Sequence, residues 1–135
     1  MALSADTPRA YELGEINELP VLASTKIYEG AAVGLSSGYA RGLVAGDEFQ
    51  GFATEQADNS AVATNGAINV KVRECGKIQA TIASVAVTNV GDSVYMSADG
   101  TFTLESSGNS LIGKVHRYVT TNTCIVKFKS YNEGA

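Results

Sequence analysis

Tryptophan is absent from the 135 residues, proline and cysteine occur twice each, and histidine occurs once. Any imidazole chemistry therefore has to use His116. Cys75 and Cys124 with one histidine fall short of the four Cys/His ligands at paired spacings that a structural zinc site uses, so no metal or other cofactor is expected. The same two cysteines allow one disulfide, but nothing in the sequence brings their Cα atoms within bridging reach. Their expected role is that of small, reduced core residues. No apolar run approaches the roughly 18 residues of a membrane-spanning helix. Nor is there an N-terminal basic region followed by an apolar stretch, as a secretory signal has. Positive charge is also scarce: 10 Lys and Arg stand against 14 Asp and Glu, a net −4. Nucleic-acid binding needs a concentrated basic footprint, so neither nucleic acid nor membrane is an expected partner.

What the chain does have is small residues. Gly, Ala, Ser and Thr supply 55 of the 135 positions, with the glycines at irregular intervals, as turns and bulges would place them. With 44% hydrophobic residues the chain has room for one core. Ile68, Val70 and Val72 alternate with Asn69, Lys71 and Arg73, the period of a half-buried strand. Glu74 to Lys77 bends the chain, and Ile78, Ala80 and Ile82 resume the alternation. Residues 83–90 allow one short helical turn. Asp99-Gly100 between two β-prone runs predicts a hairpin. Residues 112–119 and 124–128 predict a second, with Val115 and Ile125 facing inward and Lys114, Arg117, Lys127 and Lys129 outward. Asp58 to Asn65 reads as a polar loop. The expected architecture is mostly β, a compact small barrel or sandwich of about ten short strands with at most one or two helical turns. Residues 1–18 differ. They carry Asp6, Glu12, Glu15 and Glu18 against Arg9 alone, their apolar residues are not periodic, and Thr7-Pro8 favours an extended backbone. They are expected to form an extended arm before a single β-rich domain over 19–135.

Catalytic constellations are thin. Gly34-Leu35-Ser36-Ser37-Gly38 matches the G-x-S-x-G nucleophile elbow, and Asp92 or Asp99 and then His116 follow in hydrolase order. The elbow needs a helix after the serine, whereas Tyr39-Ala40-Arg41-Gly42-Leu43 is strand-like and glycine-broken, so a hairpin turn is expected instead. His116 has basic neighbours and no nearby carboxylate in sequence to orient it. The acidic residues show neither calcium-loop spacing nor an evident glycosidase pair. Arg117, Lys127 and Lys129 could form one small basic patch, read as a solvated face or a contact with an acidic partner. No enzyme activity is expected.

Four segments occur in an order that carries a resemblance: Gly51-Phe52-Ala53-Thr54-Glu55-Gln56-Ala57-Asp58-Asn59, Val90-Gly91-Asp92-Ser93-Val94-Tyr95-Met96, Asp99-Gly100-Thr101-Phe102-Thr103, and Ile112-Gly113-Lys114-Val115 before a last strand. Over about residues 19–130 the chain resembles the capsid decoration, or cement, proteins of tailed bacteriophages. The resemblance implies a structural virion protein, mostly β, that sits as a homotrimer on the outside of the phage head and clamps the expanded lattice of the major capsid protein against internal pressure. It also implies that residues 2–18 are an arm lying on the capsid, which fits a segment that orders on a partner. Such an arm can add to an exposed sheet edge through backbone hydrogen bonds. Ordering it costs on the order of 1–2 kcal/mol per residue, so three arms on one trimer gain through effective concentration. The capsid-binding residues expected within it are Thr7, Pro8, Arg9, Tyr11 and Leu13. Arg9 is the one cation there, and Tyr11 and Leu13 either fill shallow pockets or pack back on their own domain. Two other classes stay open: a phage or cell-surface module binding a glycan or protein through Tyr28, Tyr39, Tyr95 and Tyr118, and a small hydrolase using Ser36 or an acidic pair.

Overall fold

Short, β-branched and glycine-punctuated runs fold here into two antiparallel sheets laid face to face, an open sandwich and not a closed barrel. The computed structural model describes residues 4–6 and 14–134. Its strands are β1 (Ile16–Pro20), β2 (Thr25–Ile27), β3 (Ala32–Ser36), β4 (Tyr39–Gly42), β5 (Gly51–Ala53) and β6 (Ala57–Asn59). They continue with β7 (Asn69–Arg73), β8 (Cys75–Thr81), β9 (Ser93–Ala98), β10 (Thr101–Thr103), β11 (Ser110–Thr120) and β12 (Thr123–Lys129). The first sheet runs β1-β7-β5-β3-β4, the second β10-β9-β11-β12-β8, and β2 pairs with β6 alone. Two 3-10 turns, Val87–Asn89 and Tyr131–Gly134, complete the fold, the first within the stretch expected to be helical.

The sequence alternation places the core. Val70 and Val72 are fully buried on β7 while Asn69, Lys71 and Arg73 are exposed. After Glu74 the chain leaves the first sheet and enters the second as β8, which is the bend expected between the two alternating runs. All four phenylalanines meet between the sheets. Phe52 of β5 lies 4.8 Å from Phe128 of β12, 5.1 Å from Phe49 and 6.0 Å from Phe102 of β10, centroid to centroid. A second cluster of Val21, Ile27, Val33, Ala53, Ala57 and Val72 fills the other side of the first sheet, under β2 and β6. Sandwiched between two apolar layers, β5 is buried at every residue and β3 at its first three. The sheets are also stitched by main chain, through a Val44–Ala98 bridge and a 2.8 Å bond from the Ala32 amide to the Asp99 carbonyl.

Three expectations need correction. Ile16 to Glu18, expected in the arm, are the first residues of β1 and pair with Arg73 to Lys71. Asp58 and Asn59, read as loop, belong to β6, where the fully buried Asn59 amide donates to the carbonyls of Val21, Leu22 and Thr64. Ile125 does not face inward with Val115. It lies between the buried Cys124 and Val126, so strand parity sets it on the outer face with Lys127 and Lys129.

Candidate functional site

Thr7, Pro8, Arg9, Tyr11 and Leu13, the residues expected to bind a capsid, lie outside the described residues. The structure fixes where the segment containing them joins the fold. The Glu15 carbonyl accepts from the Glu74 amide at 2.8 Å, and the Glu15 carboxylate sits 3.7 Å from Arg73 in an exposed ion pair. From there β1 runs as the outermost strand of the first sheet. Glu15 thus leads into a margin of the first sheet beside the bend between β7 and β8.

The candidate chemistry of the elbow is not assembled. Gly34–Gly38 is the hairpin between β3 and β4, and Ser37 and Gly38 turn it with consecutive positive φ of 51° and 87°. A strand follows where an elbow would need a helix. Ser36 is in the first sheet and His116 in the second. The tyrosines are also dispersed. Tyr28 follows β2 and lies under the Lys26 ammonium at 5.1 Å, Tyr39 is on β4, and Tyr95 and Tyr118 are on β9 and β11. Cys124 is a core residue whose thiol is pushed up by burial, and it is not bonded to Cys75, which lies toward the opposite end of the β8–β12 pair. Among the described residues no group of three His, Cys, Asp or Glu side chains is placed to hold a metal ion.

One surface departs from the rest. The five strands of the second sheet contain Lys77, Lys114, Arg117, Lys127 and Lys129 and no Asp or Glu, leaving five cations and all 14 carboxylates to the remainder. Lys127 stands directly opposite Lys77 of β8 on one side and Lys114 of β11 on the other, a row of three lysines across adjacent strands. Neighbouring strands lie about 4.8 Å apart, and like charges directly opposed are unfavourable. His116, the extra residue where the β11 register shifts against β12, reports the same field. Lost hydration, then Lys77, Lys127 and Arg117, hold its pKa below the ordinary 6.5. Elsewhere the chain solves its charges locally. Lys26 faces Asp58 across β2 and β6, Lys71 faces Glu18 across β7 and β1, and Arg73 has Glu15. Arg41 makes a two-pronged contact to Asp47 at 2.9 and 3.1 Å. Among the described residues, none of the five cations of the second sheet is within ion-pair distance of a carboxylate.

A groove of about 1060 Å³ opens on this face. Lys114, Lys127 and Lys129 line it together with Leu111 and Tyr131, which are 58% and 60% exposed, and with Asp47 and Glu48. Gly113 forms part of its floor, where a Cβ would run into the Lys127 carbonyl. The expected patch of Arg117, Lys127 and Lys129 is thus one side of a larger surface. Local sequence does not show Lys77 as part of it, because its place beside Lys127 depends on the pairing of β8 with β12, between residues about fifty positions apart.

No family model matches the chain, nor does any curated protein or solved structure.

Proposed function

We propose that the chain is a structural protein of a tailed-phage head, binding the outer capsid surface as a homotrimer and stabilising the expanded lattice of the major capsid protein. The observation that carries this reading is the ordered succession of the four segments over residues 19–130 that resemble the decoration proteins. Three of those segments lie on β9, β10 and β11, neighbours in the second sheet, so they belong to one continuous piece of structure. Two features suit the task physically. Two apolar layers and a cluster of four phenylalanines make a domain that resists deformation. The N-terminal segment leads into an outermost strand, so it can reach a neighbouring surface without disturbing either core. In this reading Arg9 pairs with a capsid carboxylate and Tyr11 and Leu13 fill shallow pockets, with Thr7-Pro8 keeping the backbone extended. The protein then resides in the virion, on the outside of the head. The alternative, a module binding a glycan or protein through its tyrosines, draws less support, because those tyrosines lie on separate elements.

The test mixes the purified protein with expanded heads of its phage prepared without it, pellets the heads, and compares the full chain with one lacking residues 2–18. Saturable pelleting that falls on removal of the segment is the expected result. Equal pelleting of both would move the anchor to the β-domain, and absence of pelleting would remove the capsid role.

A further inference from the structure

We propose that the outer face of the second sheet is a docking site for an acidic polypeptide segment carrying apolar side chains. Three observations converge on it. The first is the lysine row: Lys127 directly opposes both Lys77 and Lys114, which the fold tolerates although it sets Lys26 and Lys71 opposite carboxylates and pairs Arg41 and Arg73 with them. A local arrangement that works against stability, with no carboxylate of the described residues within ion-pair distance, marks a surface kept for a partner. The second is shape. The groove on the same face carries two exposed apolar side chains, Leu111 and Tyr131, beside the lysines, whose aliphatic stems extend the apolar lining. The third is the charge of everything else. With all 14 carboxylates outside the strands of this sheet, a long phosphate backbone that extends beyond the lysine row meets a negatively charged remainder. A segment offering a few carboxylates to the lysines and one or two apolar side chains to the groove matches all three features. Its carboxylates would also neutralise the repulsion among the lysines, so binding and relief of that repulsion coincide. This site is separate from residues 2–18 and does not depend on the capsid reading.

The test uses the full chain and a fluorescein-labelled, glutamate-rich random copolymer of glutamate and tyrosine, followed by fluorescence anisotropy at low salt. Saturable binding is expected, weakening steeply as salt is added. The triple variant Lys77→Gln, Lys114→Gln, Lys127→Gln is expected to lose about tenfold or more in affinity, as loss of close interfacial charge contacts does. A control that removes as much charge elsewhere, Lys26→Gln, Lys71→Gln, Arg73→Gln, is expected to stay within about twofold. Urea unfolding of each variant separates lost binding from lost folding. If the triple variant does not fold, the single Lys127→Gln carries the comparison and is expected to lose several-fold in affinity. Equal weakening by both triple variants would reduce the effect to net charge and overturn the proposal. So would failure of the wild-type chain to bind the copolymer, or tighter binding of an oligothymidylate of equal charge.

Discussion

Lys127 stands directly opposite Lys77 on neighbouring antiparallel strands, in a protein whose Lys71 and Lys26 each stand directly opposite a carboxylate. The contrast isolates one sheet face as electrostatically unfinished, and it has a consequence for stability. Cross-strand like-charge pairs cost a few tenths of a kcal/mol to about 1 kcal/mol, and Lys127 takes part in two of them. Lys127→Gln is therefore expected to stabilise the domain by about 0.2–1 kcal/mol in urea unfolding at low salt. The gain should shrink as salt screens the pair. A variant less stable than the wild type at every salt concentration would contradict this account.

His116 supplies an independent reading of the same field. Its folded pKa lies below the ordinary 6.5, through lost hydration first and then Lys77, Lys127 and Arg117. The unfolded chain therefore takes up the proton more readily than the native one. The stability this group contributes is complete above about pH 6.5 and is lost as the pH falls from there through the folded pKa. An NMR titration of the imidazole Cε1 proton should give a midpoint below 6.5 in the wild type and a higher one in Lys127→Gln. Identical midpoints would show that Lys127 does not reach the ring.

Gly113 lets β11 approach β12 at the floor of the groove. A Cβ there would collide with the Lys127 carbonyl and lie 2.8 Å from the Phe128 Cα, both main-chain atoms that can move only by disturbing the pairing. Gly113→Ala should cost about 1–3 kcal/mol, measured by thermal or urea unfolding. A neutral effect would mean that the two strands are less closely apposed.

Asn59 ties three stretches together. Its side-chain amide serves the Val21, Leu22 and Thr64 carbonyls, and the residue is fully buried. Asn59→Ala should destabilise by about 1–3 kcal/mol, because buried carbonyls lose their donor. Hydrogen exchange should quicken first around residues 59–66, whose connection that amide anchors. Uniform quickening across both sheets would point to a global effect instead.

Period-two alternation made β7, β8 and the closing hairpin legible in the sequence, because each has one face on a core and one in water. It failed for β5 and β6. Both are three residues long, too short to set a period; β5 is buried throughout and has no polar face, while β6 exposes only Asp58 and buries the polar Asn59. Ile125 is apolar, yet its even spacing from Lys127 and Lys129 places it on the outer face. The basic patch was half legible. Lys127 and Lys129 declare themselves by parity on one strand and Lys114 through the closing hairpin, while Lys77 joins them only through the pairing of β8 with β12, which local sequence does not encode. The unopposed state of these lysines is a still less local property. It rests on where the carboxylates of the whole chain come to lie.

The central claim is attachment to a phage head, and the most direct measurement of it is the number of chains bound per capsid subunit at saturation, counted on purified expanded heads. Three-fold and local three-fold positions each gather three capsid subunits. A trimer at every such position gives about one chain per subunit, bound in threes. That ratio, reached saturably, is the expected result. Binding that never saturates, or none at all to such heads, would contradict it.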